Sequence, residues 1–409
     1  MKIILIFLCL MLLLLAGGSA SLAKYEFIPR LSVSETYTDN LMLADERLEE
    51  DWITTFVPGV DYSLEMKKLT LDFNYSLYFK NYRNHPKEDE KNLRDVQRAQ
   101  LEAWLLPERP FSLMLREEIS RVVIDDRGRS VEENELVNKT TLYRFTLLPE
   151  YRWRISSRFN AIFGYRYDNY NYVSDAGTDT ETQRFSLRLE NQLLRSTQLN
   201  LTVFHEEYQF ENSEEIPLQL VSGGVEHHLG ADWLLSAEGG YARINFVNRK
   251  DTEEGIWIVK LVGEVGRNLQ LSLLSDQAFV ITVDSGLTRR TQAQAALKLQ
   301  RRVVIELKSY WMEDLFLSEE RTDRSVGVEL KSIFPLAKKL QLMLKADYAR
   351  FEYLPGDEDG QRTGFGTAVE YLTRYVGFEL KYTYRISDSN LNFNDYENHI
   401  ATISASLRL

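Results

Sequence analysis

Arginines of one parity recur through the first half of this 409-residue chain: Arg94 and Arg98, Arg116, Arg144 and Arg152, Arg166, Arg184 and Arg188, with Arg121 an exception near a segment end. A guanidinium is a planar fork of donors that grips a carboxylate or a pair of sugar oxygens bidentately, so a row of them on one surface suits anionic or hydroxyl-rich solutes. Arg154 continues the row. Acidic residues of the same parity are sparser there: Glu102, Glu118, Glu150, Asp168 and Glu190. The next segments turn acidic, with Glu206, Glu226, Glu238 and Glu264. Later ones mix signs, from Lys298, Glu306 and Lys308 through Glu329, Lys331, Lys345 and Asp347 to Glu379, Lys381 and Arg385. Tyr78, Tyr208 and Tyr310 share this face and offer sugars a flat surface. The same residues admit a plainer role, in which opposite charges pair across neighbouring strands and stiffen an interior without passing anything.

Catalytic chemistry has little support. Of five histidines, His85 falls in a polar connection, and His205 and His399 share the parity of apolar residues near segment ends. His227 and His228 are adjacent, so on a strand they face opposite sides and cannot chelate one metal. No nucleophile–base pairing emerges from the scattered serines. Gly223-Gly224 and Gly239-Gly240 read as relief of curvature rather than a phosphate loop. No enzyme activity, catalytic residue, metal or cofactor is predicted.

The elements that must position the arginines show a period of two. In Leu69–Lys80, Leu69, Leu71, Phe73, Tyr75, Leu77 and Phe79 point one way, and Thr70, Asp72, Asn74, Ser76 and Lys80 the other. At helical spacing these sets would mix around the cylinder. About twenty such segments (18–20) follow one another, from 27–37 to 397–409, and include 93–105, 111–123, 137–155, 158–172 and 182–194. Most exceed the nine to eleven residues that a tilted strand needs to cross a bilayer. Connections alternate between tight turns, such as Lys67-Lys68, Ser156-Ser157 and Arg301-Arg302, and longer acidic loops, such as Asp125 to Glu135 and Ser174 to Glu181. Short turns on one side and long loops on the other are the pattern of outer-membrane barrels. An arginine or lysine at the lipid-facing midplane costs about 2–4 kcal/mol, so the polar face of each strand must look into the lumen.

Composition agrees with an exported barrel. Lys2, the apolar run Ile3–Leu15 and the small residues up to Ala23 read as a signal peptide over 1–23, leaving 24–409 as one barrel domain. Cys9 lies within that run, so the exported chain has no cysteine for a lipid anchor or a disulfide. Charged residues make up 27% of the chain, which a barrel tolerates because only every second residue meets lipid. The net charge of −12 argues against nucleic acid as a partner.

The opening strand, Phe27 to Asn40, carries Thr38-Asp39-Asn40 ahead of a loop. The segment Leu148 to Tyr151 is followed by a tyrosine-rich return, Tyr165 to Tyr172. In these motifs and in layout the chain resembles the outer-membrane β-barrel porins associated with exopolysaccharide and PEP-CTERM (exosortase) systems. It departs from the common barrel ending in closing on Leu409 rather than an aromatic residue. The resemblance implies a role in polysaccharide secretion or passage across the outer membrane.

The expectation is therefore an all-β, antiparallel, up-and-down transmembrane β-barrel of the bacterial outer membrane. Its predicted role is a channel for polysaccharide or other polar, anionic solutes, through a lumen lined by Arg94, Arg98, Arg116, Arg144, Arg152, Arg166, Arg184 and Arg188. A non-conducting scaffold of a polysaccharide-assembly system is the alternative, with a barrel enzyme a remoter one. Expected partners are outer-membrane lipid and lipopolysaccharide, the β-barrel assembly machinery, polysaccharide and periplasmic secretion components.

Overall fold

A computed structural model describes residues 24–409, apart from 47, 126–127, 132–133, 135, 212–214, 247–249, 284–285, 318–320, 356–357 and 391–393. The signal-peptide segment 1–23, with Cys9, lies outside the described residues.

The alternating segments form antiparallel strands in chain order: β1 Lys24–Thr38, β2 Asp51–Met66, β3 Leu69–Leu77, β4 Phe79–Tyr82, β5 Gln97–Leu105, β6 Phe111–Val123 and β7 Lys139–Arg154. Then come β8 Phe159–Tyr172, β9 Thr180–Leu194, β10 Thr197–Phe210, β11 Ile216–Leu229, β12 Trp233–Ile244, β13 Thr252–Val265 and β14 Leu269–Thr282. The last are β15 Gly286–Gln300, β16 Val304–Phe316, β17 Arg321–Ala337, β18 Leu340–Leu354, β19 Glu358–Leu372, β20 Val376–Ser389 and β21 Tyr396–Arg408. β3 and β4 are two parts of one crossing, interrupted at Tyr78, so the wall has 20 strands. Each strand pairs with its sequence neighbours, and β1 pairs with β21 from Arg30 opposite Arg408 to Thr38 opposite Ile400. The barrel is closed.

Closure leaves no free edge, which is what lets a sheet cross hydrocarbon without unpaired backbone groups. The outward face is apolar and exposed. Leu199, Leu201, Val203, Leu273, Leu297, Leu307, Val326, Val328 and Leu330 form its middle. Phe111, Tyr151, Trp153, Tyr375 and Phe378 lie toward the short turns, and Trp52, Tyr241, Trp257 and Trp311 toward the long loops. A soluble protein would not leave such a belt in water; the two aromatic rims mark the edges of a bilayer. Two short turns place glycine at positive φ, Gly230 at 77° and Gly266 at 68°, where a side chain is disfavoured.

The Thr38-Asp39-Asn40 motif fastens the seam. The Thr38 hydroxyl donates to Asn398 Oδ1 at 2.8 Å, and Asp39 Oδ1 accepts from the His399 backbone N–H at 2.8 Å. Asn40, fully buried, donates to the carbonyls of Glu397 (2.8 Å) and Ala44 (2.7 Å) and accepts from the Ala44 N–H. The motif thus joins first strand to last and shapes the loop that follows.

One boundary differs from the sequence expectation. The fourth segment is not extended from 93: Leu93–Val96 is a helical turn capped by Asn92, whose side chain accepts from the Arg94 N–H. Arg94 therefore sits exposed in the connection before β5 rather than on a barrel strand.

Candidate functional site

The inward face is fixed by register. On β5–β10 it carries Arg98, Arg116, Arg144, Arg152, Arg166, Arg184 and Arg188, so seven of the eight predicted arginines share one continuous wall. Arg94 does not join them, for the reason above.

Arg116, Arg144, Arg152, Arg166, Arg184 and Arg188 are engaged with carboxylates. Arg116 grips Glu102 directly across the ladder at 2.5 and 3.0 Å. Arg166 donates to Asp168 through Nε (2.5 Å) and Nη2 (3.0 Å), and Arg144 reaches the same carboxylate at 3.4 Å. Thr146 adds a hydroxyl to Asp168 at 2.6 Å. Arg184 stands opposite Arg166 in register and is held by Glu206 at 2.7 Å, which also accepts from Tyr208 at 2.7 Å. Nearer the short turns, Glu190 takes Arg188 at 3.2 Å and Arg152 at 4.0 Å. Arg98 donates to the carbonyls of Asp95 and Gln97 and lies over the Tyr78 ring at 5.5 Å. Ring faces also meet Arg144 (Tyr170, 4.9 Å) and Arg184 (Phe204, 4.4 Å).

Two carboxylates are shared, Asp168 by Arg144 and Arg166, and Glu190 by Arg152 and Arg188. Asp168 and Glu206 are buried, at 3% exposure each, while their arginines stay part-exposed. The wall is an alternating lattice with guanidinium surplus, and the surplus is the part that meets the lumen.

The mouth on the long-loop side is narrowed from within. The connection between β6 and β7 turns inward and is tied to strands far across the ring. Asp125 meets Arg321 of β17 at 3.5 Å, the Gly128 carbonyl accepts from Arg362 of β19 at 3.3 Å, and the Ser130 carbonyl accepts from Tyr396 of β21 at 3.1 Å. Val131 packs with Leu43, Tyr396 and Ile400. On β10–β12 and β15, Tyr208, Phe210, Leu218, Leu220, Ala242, Ile244 and Leu287 form a buried apolar cluster. The register puts Leu218, Leu220, Ala242 and Ile244 on the lumen face with Glu206 and Tyr208. The connection after β8 reaches the β14–β15 hairpin, Thr178 N–H to Val283 carbonyl, at 2.8 Å. In the sequence the β6–β7 connection presents itself only as an acidic outer loop. The apolar residues at both parities in Ile216-Pro-Leu-Gln-Leu-Val221 were the available sign that this stretch does not face plain water on its inner side.

The histidines bind no nucleophilic serine among the described residues. His85 bridges Asp51 (2.8 Å) and Glu49 (2.9 Å), His205 meets Glu207 (3.1 Å), and His399 bonds Tyr382 (2.7 Å). The hydrogen bond to Asp51 raises the His85 pKa above the usual histidine range.

No protein-family model and no curated protein matches the sequence. By structure, the chain is similar to the siderophore receptor PirA from Pseudomonas aeruginosa, with TM-score 0.50, 10% identity, and coverage of 94% of this chain and 80% of that one. It is also similar to a mutant of the ferric enterobactin receptor PfeA from the same organism, with TM-score 0.51, 8% identity, and coverage of 94% and 80%. The FrpB iron transporter from Neisseria meningitidis matches with TM-score 0.50, 9% identity, and coverage of 97% and 83%. What these likenesses share with the chain is the fold, the closed barrel of outer-membrane proteins.

Proposed function

We propose that the protein is a passage through the bacterial outer membrane for acid-bearing, hydroxyl-rich solutes, polysaccharide among them. The observation that supports this reading is the sharing of carboxylates on the arginine wall. Asp168 and Glu190 each serve two guanidiniums, so donor capacity is left facing the lumen. Incoming carboxylates or sugar oxygens would exchange one fork for the next without meeting an uncompensated charge. Polysaccharide enters through the resemblance in the opening strand and the Leu148–Tyr151 motif.

The test is single-channel recording in planar bilayers. Conductance is expected, with block by an anionic oligosaccharide that weakens on replacing Arg144, Arg166 and Arg184 by glutamine. Heat-modifiable migration on gels reports whether each variant is still a folded barrel. A membrane that stays sealed at every voltage would defeat the proposal. It would favour a scaffold barrel instead, a reading supported by the β6–β7 connection tied across the mouth to Arg321, Arg362 and Tyr396.

A further inference from the structure

Opposite the arginine wall, ten strands around the ring, the inner face of β15–β20 is built differently. Two rows run across it in register. The first reads Lys298, Glu306, Lys331, Lys345, Gly366 and Thr383. The second reads Lys308, Glu329, Asp347, Gly364 and Arg385. Lys331 and Lys345 are thus direct cross-strand neighbours, an arrangement of like charges that destabilises a sheet.

The carboxylates nearby are already engaged. Glu306 binds Lys298 at 2.7 Å, Glu329 lies 3.4 Å from Lys345 and 3.8 Å from Lys308, and Asp347 holds Arg385 at 2.6 Å. A hollow of about 240 Å³ opens between these strands. Five cations line it, Lys308, Lys331, Lys345, Lys381 and Arg385, against two carboxylates, Glu306 and Glu329. Its room comes from β19, which sends inward Gly366 and the buried Ala368 instead of long side chains. A Cβ on Gly366 would meet nothing closer than the Lys345 Cβ at 3.7 Å, so the hollow begins at that backbone.

We infer that this hollow is a binding site for a multiply charged anion, such as a phosphate- or carboxylate-bearing segment of a solute, standing apart from the arginine wall. An anion seated between Lys331 and Lys345 adds negative charge where Glu306, beside Lys331 in register, and Glu329, 3.4 Å from Lys345, leave the five cations in excess. Lys381 and Arg385 close the far side, where Gly366 leaves the space. The site is placed toward the short-turn end, since Lys331 nears the end of β17 and Lys345 the start of β18. The inference rests on the proposed passage only in that the solute must reach the lumen.

Calorimetry with inorganic tripolyphosphate and the full folded barrel in detergent tests it without requiring conductance. Saturable binding is expected. Gly366→Asp, whose Cβ would meet no atom closer than 3.7 Å and which brings a carboxylate to the hollow, should weaken it about ten-fold or more, as should Lys331→Met with Lys345→Met. Lys331→Arg with Lys345→Arg should retain it. In the unmodified protein, tripolyphosphate should also protect Lys331 and Lys345 from a water-soluble acylating reagent, read by mass spectrometry. Absence of both binding and protection, or binding indifferent to Gly366→Asp, overturns the inference. A barrel that binds tripolyphosphate in this way yet never conducts would remove the passage and leave the site.

Discussion

Two walls of one barrel handle the same problem, cations inside a closed sheet, in opposite ways. On β7–β10 Arg166 stands opposite Arg184, but Asp168 and Glu206 are interleaved and buried beside them. On β17–β18 Lys331 stands opposite Lys345 beside a hollow whose two carboxylates, Glu306 and Glu329, are outnumbered by five cations. The difference follows from the side chains. Guanidinium carries five donors in a fixed fork and stays weakly hydrated, so it can be locked into a lattice with few carboxylates. Ammonium is a strongly hydrated point charge on a flexible stem, and keeps its water until a ligand replaces it. The first wall is therefore built to hold shape, and the second to exchange partners.

The sharpest way to break this contrast is to remove the acid from the lattice. Asp168→Asn takes from Arg144 and Arg166 the carboxylate they share, and should cost about 3–5 kcal/mol of stability, measured by denaturant unfolding in detergent. If the loss is under about 1 kcal/mol, the arginine wall is no stiffer than the lysine wall and the distinction fails. Asn40→Ala provides the reference for damage elsewhere. It strips one hydrogen bond from the seam and two from the loop beside it without touching either wall, and should cost about 1–3 kcal/mol in the same assay. Lys331→Gln should change stability by less than about 1 kcal/mol, because it relieves the like-charge contact with Lys345 but gives up the opposite-charge neighbour Glu306. A destabilisation of the size expected for Asp168→Asn would show that Lys331 is locked into the wall after all.

The smallest expected effect concerns the loops. His85 clips Asp51 and Glu49, and its pKa is raised by the Asp51 hydrogen bond. A raised folded-state pKa means that the clip contributes fully below the ordinary histidine value and is lost as pH rises through the folded one. Amide exchange in residues 83–92 should therefore quicken as pH rises through that range, beyond the intrinsic rise in exchange rate. The walls, whose lumen faces carry no histidine, should keep their protection. His85→Gln should abolish the pH step.

Much of this was legible along the chain. Alternation in Leu69–Lys80 and its repeats fixed which residues face lipid, and hence that Arg116, Arg144, Arg166 and Arg184 share a face, because a strand has only two sides. Arg94 escaped that logic because alternation cannot sense a cap: Asn92 accepts the Arg94 N–H and starts a helical turn where the pattern still reads as strand. The hollow on β15–β20 was hidden for another reason. Its charges appear in the sequence as a balanced mixture, and only the cross-strand register shows that Lys331 meets Lys345 while Gly366 leaves space beside them.

What the sequence by itself determined is the up-and-down barrel, its count of about twenty strands, its short and long ends, and its polar interior. These depend on periods and connection lengths, which are local properties. Only the tertiary structure decided which arginines share Asp168 or Glu190. It alone brought the β6–β7 connection to Arg321, Arg362 and Tyr396, and left a cationic hollow opposite the arginine lattice. Those outcomes depend on register and on contacts between residues as far apart as Ser130 and Tyr396, 266 positions along the chain. Closing the ring sets such meetings, and no local pattern encodes them.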